Sequence, residues 1–351
     1  MTLSIGDPVS PMLAKAVDAV PEPDSVAGGL SYEPKWDGFR SIVYVGDDGT
    51  VELGSRGSKP LTRYFPELVE ALGERLPRGS VVDGEIVVRV GAPGREKLDW
   101  EALSQRIHPA ASRVRTLARE TPASFIAFDV LQVDGESMLD APFSERRDAL
   151  ESMLAEVTAP VHLTQTSRDV EVARRWLSEF EGAGLDGVVA KPLAAAYAPG
   201  KRVMLKAKHH RTADVVVLGY RIHTSGTGVG SLLLGLYDDD GTLRNVGGAS
   251  AFTTVRRREL IDELEPDVMR DENGDPVRGE TERSRFSGSK DVSFVRLEPR
   301  RVVEVRYDQM EGDRFRHTVQ FARWRPDRDA RSCTFAQLEV PARYDLGDVL
   351  S

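Results

Sequence analysis

Glu33-Pro34-Lys35-Trp36-Asp37-Gly38-Phe39-Arg40 sets a lysine two positions ahead of an aspartate and then turns the chain through a glycine. If the segment is extended, the two-residue period of a strand puts Lys35 and Asp37 on one face. A lysine withdrawn from water among other cations loses its proton more readily, because desolvation and like charge both disfavour the ammonium, and a neutral amine is a nucleophile toward phosphorus. Like charges are on hand: Lys206 and Lys208 lie two apart in VMLKAKHH, again on one strand face, and Lys191 ends GVVAK. Taken singly, each lysine reads as a solvated side chain with a snorkelling stem. The ordered set carries the weight.

Outward from this stretch the sequence reads as short strands with a few helices. YEPKWDGFRSIVYVGDDGTVELGSR breaks at Asp47-Asp48-Gly49, a hairpin turn in which Asp-Gly supplies the positive φ. Helical spacing of Phe65, Leu68, Val69 and Leu72 predicts a helix over 63–75, followed by the strand SVVDGEIVVRV. A helix over 100–107, the strand SFIAFDVLQVDG, the helix SERRDALESMLAEV, a helix over 169–183 and the strand GVVAKP complete an α+β unit ending near Lys208. Beyond it the pattern changes to strands and turns with one helix, VRRRELIDELE, and a Gly-, Asp- and Glu-rich loop over 271–289. That grammar suits a small OB-like barrel, a five-stranded architecture that presents a face for nucleic acid. The expected domains are 1–208 and 209–351, hinged near Ala207 to Ala213.

The 351 residues allow two or three domains. Cys333 is the only cysteine, which excludes an intrachain disulfide and cysteine-rich zinc sites and fits a reducing, cytoplasmic setting. No stretch offers the ~18–20 apolar residues of a membrane span, and the N-terminus lacks a targeting pattern. The net charge of −9 argues mildly against nucleic acid. Distribution counts for more than the sum, however, and residues 300–331 run the other way, with nine arginines against six acids. Neither GxGxxG after a strand nor GxxxxGK[ST] is present, so a nucleotide must be held by other means. His209 and His210 read as hinge or phosphate contacts rather than metal ligands.

The motifs together resemble those of the covalent nucleotidyltransferases, and specifically the ATP-dependent DNA ligases. Lys35-Trp36-Asp37-Gly38-Phe39-Arg40 is similar to the nucleophile motif K-x-D-G-x-R, and Ser55-Arg56-Gly57 with Phe65-Pro66-Glu67-Leu68 resembles the next block. Asp83-Gly84-Glu85, Phe128-Asp129, Asp186-Gly187-Val188-Val189-Ala190-Lys191, Leu205-Lys206-Ala207-Lys208 and Arg323-Trp324-Arg325-Pro326-Asp327-Arg328 resemble the remaining blocks in the family's order. The likeness spans 11–331 and is greatest to the compact bacterial type, such as actinobacterial ligase C and the ligase module of ligase D. Two positions depart from the usual spelling: Asp186 stands for glutamate and Arg328 for lysine.

The resemblance implies an α+β nucleotidyltransferase (ATP-grasp-like adenylation) domain followed by an all-β OB-fold barrel that clamps DNA. It implies Lys35 as the residue that takes AMP from ATP, with Asp37, Arg40, Lys206 and Lys208 beside it in catalysis. The nucleotide would meet Glu33, Arg40, Arg56, Glu85, a stacking Phe128, Lys191, Lys206 and Lys208, with Arg323, Arg325 and Arg328 orienting pyrophosphate. Asp37, Glu85 and Asp186 would hold Mg2+ or Mn2+. The implied substrate is nicked double-stranded DNA in repair or recombination. A monomer on the nucleoid, joined by a repair polymerase or an end-binding protein, completes the expectation. An RNA ligase and an mRNA capping guanylyltransferase share the lysine chemistry, and a non-catalytic OB-type nucleic-acid binder is the rival from another class. An NAD-dependent ligase is disfavoured by the cysteine count.

Overall fold

The computed structural model describes residues 3–57, 59–91, 96–180, 184–208, 211–281, 292–338 and 346–350. The chain divides into two units, residues 1–209 with 340–351, and residues 210–339. This departs from the expected boundaries, which gave the whole of 209–351 to the second domain. Leu346 and Val349 are fully buried in a cluster with Tyr32, Trp36 and Val188 of the first unit. Five residues are too few to display a periodicity, so the sequence carried no sign of it.

Two sheets build the first unit. One has the order β1 (Leu13–Val17), β9 (Arg202–Lys208), β8 (Gly187–Pro192), β2 (Leu30–Lys35). The other runs β4 (Val51–Ser55), β3 (Phe39–Val45), β5 (Ser80–Val90), β6 (Ala123–Val133), with β7 (Val161–Leu163) added parallel to β6. β3 and β4 form the expected hairpin, and Gly49 has the positive φ (84°) that its turn requires. Helices α1 (Pro66–Arg75), α2 (Trp100–Gln105), α4 (Phe143–Met153) and α5 (Val170–Glu179) lie where apolar spacing placed them. Helix α3 (Ala111–Glu120) was not anticipated. Its sequence, ASRVRTLARE, is charge-rich and buries only Val114 and Leu117, so its apolar stripe is too thin to read.

The nucleophile stretch joins these two sheets. Lys35 ends β2, residues 36–38 make the crossing, and Phe39 begins β3. Asp37 therefore lies in a turn, and the expectation that it shares a strand face with Lys35 fails because the strand stops at Lys35. Gly38 is required by crowding: a Cβ there would stand 2.2 Å from the Ile86 carbonyl oxygen. Gly187 is required twice over, by a φ of +140° and by a Cβ that would stand 2.1 Å from the Ala207 carbonyl oxygen. Gly187→Ala should lower stability by about 2–4 kcal/mol, read as a lower urea midpoint, because strand β8 must move away from β9. An unchanged midpoint would refute this account of the sheet.

His162 on β7 supplies a pH dependence. Burial, with a smaller contribution from the Arg89 cation, pushes its imidazole down to about 4. The unfolded chain then binds a proton that the folded chain refuses, so stability should fall as pH drops from about 6.5 toward 4. Denaturant midpoints for His162→Phe should decline less over that window. Parallel profiles for the two proteins would count against the assignment.

Among its described residues the second unit is built of strands, with one α-helix, α6 (Thr254–Leu264), and short 3-10 turns. β10 (Arg211–Ile222), β11 (Val229–Tyr237) and β12 (Leu243–Ala249) follow one another antiparallel. β13 (Ser293–Arg296) and β14 (Val302–Tyr307) both pair with β10, and β15 (Gln320–Trp324) pairs with β14. A parallel bridge from Ala249 to Val319 links β12 back toward β15, so β15, β14, β10, β11 and β12 form the curled five-strand path expected of an OB barrel. Leu232, Leu234, Leu236, Val215, Val217 and Val303 fill its interior. The expected loop over 271–289 is in part a hairpin, since Arg278–Glu280 pairs with β13, and its residues 282–289 lie outside the described residues, as do His209 and His210. Among the described residues no helix is long and apolar enough to cross a membrane.

Candidate active site

Register brings the first group of predicted residues together. Lys35 lies opposite Gly187 and Gly187 opposite Lys208, while Glu33 lies opposite Val189 and Val189 opposite Lys206. With a period of two, Glu33, Lys35, Lys191, Lys206 and Lys208 all fall on one face of the β1–β9–β8–β2 sheet. The alternating residues Tyr32, Val188, Ala190 and Ala207 fall on the other and pack with Ala173 and Trp176 of α5. Asp186, immediately before β8, is positioned by its N–H donating to the Lys35 carbonyl (2.9 Å). Its Oδ2 lies 2.5 Å from Lys35 Nζ and 3.0 Å from Lys208 Nζ. Burial works to raise the Asp186 carboxyl, but the two ammoniums outweigh it and hold it below the usual carboxylate range. Lys206 is pushed down by burial and by the Lys208, Lys35 and Arg56 cations, so the expected like-charge cluster is present.

Deeper on the same face, Lys191 is 1% exposed and its ammonium is held by Glu33 Oε1 (3.0 Å) and the Phe128 carbonyl (2.8 Å). Burial raises the Glu33 carboxyl despite the neighbouring Lys191. Glu33 Oε2 is buried and accepts no hydrogen bond, which leaves it ready for a donor. Phe128 is the extra residue of a β-bulge, because Asp83 pairs with Asp129 while Gly84 pairs with Ala127. The bulge turns its ring toward the cations, with Lys191 Nζ at 4.6 Å and the Arg40 guanidinium at 5.0 Å from the ring centroid.

Arg40 is committed differently from expectation. Its guanidinium makes a bidentate pair with Asp83, Nε to Oδ1 at 3.0 Å and Nη2 to Oδ2 at 2.6 Å. Burial disfavours the charge, but Asp83 outweighs it and raises the guanidinium above its ordinary value. Tyr197 Oη donates to Asp83 Oδ2 at 2.6 Å and accepts from the Met12 N–H at 3.0 Å. Arg40 is therefore a brace for the Phe128 ring more than a free cation for the nucleotide. Asp83 and Tyr197 are functional neighbours that the sequence reading did not assign. Asp83 stood inside a quoted motif, whereas an isolated tyrosine 114 positions away gives no signal. Asp129 is likewise paired with a fully buried Arg146, at 2.8 and 3.1 Å.

Glu85 sits within strand β5, opposite Arg40. Burial pushes its carboxyl up to about 7, opposed by the Lys35 and Arg40 cations and assisted by Asp37 and Asp83. Asp37, Glu85 and Asp186 were expected to hold a divalent cation. Among the described residues no three of His, Cys, Asp and Glu gather into a metal-holding group. The oxygen donors still suit Mg2+ or Mn2+ of the kind that takes one or two carboxylates and completes its shell with phosphates and water.

The arginine block of the second unit is arranged around its own carboxylates. Arg325 Nη1 lies 2.9 Å from both oxygens of Asp214 and its Nη2 2.8 Å from Asp327 Oδ2. Arg328 Nε approaches Asp214 at 3.6 Å without a hydrogen bond, and Arg323 pairs with Glu304 at 2.7 Å. Trp324 fixes the block, donating from Nε1 to Glu263 (2.9 Å) beneath the Arg301 guanidinium.

A lysine at a strand end that shares a carboxylate with a second lysine, on the sheet face that also carries Glu33 with its unsatisfied Oε2, is an arrangement suited to covalent nucleotidyl transfer. Residues 11–208 match the family model described as ATP dependent DNA ligase domain, and 225–328 that of the ATP dependent DNA ligase C terminal region. DNA ligase C2 of Mycolicibacterium smegmatis is 56% identical over 354 residues, covering 97% of this chain and 97% of that protein. DNA ligase C of Mycobacterium tuberculosis is 54% identical over 365 residues, covering 100% of this chain and 99% of that protein. A solved Lig E DNA ligase shares the fold, with a TM-score of 0.54 at 18% identity over 90% of this chain and 99% of its own. The chain belongs to the ATP-dependent DNA ligase family. That membership sets aside the NAD-dependent and non-catalytic alternatives.

Proposed function

We propose that the chain seals nicks in duplex DNA through three in-line displacements at phosphorus, with Lys35 as the nucleophile. The observation that carries this reading is the row Lys35, Asp186, Lys208, in which one carboxylate, shared with a second lysine, orients the Lys35 amine at the end of its strand. Lys35 Nζ, its proton gone, attacks the α-phosphorus of ATP, a P–N bond forms and pyrophosphate leaves. A 5′-phosphate oxygen at the nick then attacks the same phosphorus and regenerates the lysine. Finally the 3′-hydroxyl, losing its proton, attacks the 5′-phosphorus and expels AMP.

Each step needs alignment and charge neutralisation more than acid-base chemistry. Lys206, Lys208 and Arg56 offset phosphate charge, while Arg323, Arg325 and Arg328 orient the departing pyrophosphate. Phe128 stacks on adenine, and Glu33, braced by Lys191, accepts from its amino edge through the unsatisfied Oε2. Arg40 steadies that ring from Asp83. One or two of Glu85, Asp37 and Asp186 would hold Mg2+ or Mn2+ together with phosphate oxygens and water, and the ion would supply Lewis-acid neutralisation of those oxygens. The unit 1–209 with 340–351 is the adenylating part and 210–339 the DNA-clamping part, hinged near 207–213. The enzyme works as a monomer on nucleoid DNA in the cytoplasm, in excision repair or backup end joining.

A duplex nicked once and labelled at the internal 5′-phosphate tests this. With ATP and either metal, an AMP-capped strand should appear first and the sealed strand later, and chelation should stop both. Sealing that NAD+ supports but ATP does not, or no sealing with any divalent metal, would overturn the reading.

A further inference from the structure

We infer that the C-terminal segment 346–350 positions the nucleophile of the first unit, acting through Thr164 and Trp36. The inference rests on the assignment of Lys35 as the nucleophile. Leu346 and Val349 are fully buried and share a core with Trp36, Tyr32, Val188 and Ala207. The last three come from the reverse face of the strands that carry Glu33, Lys35, Lys191, Lys206 and Lys208, so the segment backs the reactive face. The backing is also bonded. Leu350 bridges Thr164, and the Gln165 N–H donates to the Val349 carbonyl at 3.3 Å.

Thr164 is itself fully buried and gathers three elements. Its Oγ1 accepts from Trp36 Nε1 (2.8 Å), its carbonyl accepts from Arg147 Nη2 (2.8 Å), and its N–H donates to Ala127 beside the Phe128 bulge (3.0 Å). Trp36 directly follows Lys35 at the crossing between the two sheets, where no ladder partner is available to fix it. Its orientation there is set by the Thr164 hydrogen bond on one side and by the apolar packing that Leu346 and Val349 complete on the other. Loosening either shifts the backbone that aims Lys35, and a displacement of a fraction of an ångström is felt strongly in an in-line attack. The segment is thus a positioning element that touches no substrate.

The test uses the full chain, assayed well below its unfolding temperature. Three variants are compared with wild type: Leu346→Ala with Val349→Ala, Thr164→Val, and Leu150→Ala in the separate core beneath β6. At saturating ATP, lysyl-AMP formation in a single turnover should slow by about tenfold or more in the first two, with KM for ATP within about threefold of wild type. Leu150→Ala should lower the thermal midpoint yet label at the wild-type rate, and Thr164→Ser should restore what Thr164→Val loses. Wild-type rates in the segment and Thr164→Val variants would overturn the inference, as would losses that simply follow the thermal midpoint across all variants. A wrong choice of nucleophile would announce itself separately, because wild type would then carry label that Lys35→Ala retains.

Discussion

Lys35→Ala should abolish covalent labelling by α-labelled ATP, with a loss of at least about 10⁴-fold in single-turnover AMP transfer. No neighbour can take over the attack. Lys208 is the nearest amine across the sheet, but it lies two strands away, on the other side of Asp186. Lys191 is buried and held by Glu33. The variant should still fold, because Lys35 is at a strand end and partly exposed, and removing it leaves Asp186 with Lys208 as partner. Nicked DNA that already carries the 5′-adenylate bypasses the first step, so its sealing should suffer far less than complete ligation. Label retained on the variant protein would sink the assignment, and the site of attachment could then be sought among Lys206 and Lys208.

The second large effect falls on stability. Asp83→Ala should cost about 3–5 kcal/mol, since it strands the Arg40 guanidinium in a site built to neutralise it. Tyr197 loses its acceptor in the same stroke. The urea midpoint should drop well below that of Tyr197→Phe, which removes the two hydrogen bonds of the hydroxyl and leaves the ion pair. Nucleotide binding should weaken as well, because Arg40 steadies the Phe128 ring. Equal midpoints for Asp83→Ala and Tyr197→Phe would mean that the ion pair is not what holds β3 to β5.

What the sequence disclosed and what it withheld divide along a physical line. Local periodicity located SVVDGEIVVRV and GVVAKP to the residue, and the two-residue spacing of Lys206 and Lys208 placed both on one strand face. Motif order brought Glu33, Lys35, Lys191, Lys206 and Lys208 to a single surface, as strand register demonstrates. The failures concern pairing across long separations. The motif that Arg40 ends implies a place beside the nucleotide, and nothing in the sequence signals that Asp83, 43 residues away, pairs with it. Arg146 and Asp129, 17 residues apart, Tyr197 and Asp83, and the return of residues 346–350 to the first unit are contacts of the same kind, longer than the few residues over which strand and helix periods are read. The shared face of Lys35 and Asp37 was lost for a different reason: it required the segment to stay extended, and the strand ends at Lys35.

The arginines of the second unit travel with their own counter-anions. Arg325 is already satisfied by Asp214 and Asp327, and Arg323 by Glu304. A phosphate that approaches them does not meet bare charge; it competes with carboxylates for a fork that is already occupied. In the proposed pyrophosphate-orienting role, its affinity would be the difference between two pairings, weaker than the same arginines would show without their carboxylates. Such an exchange, carboxylate for phosphate and back again, gives a grip suited to an enzyme that must let go of one substrate before taking hold of the next.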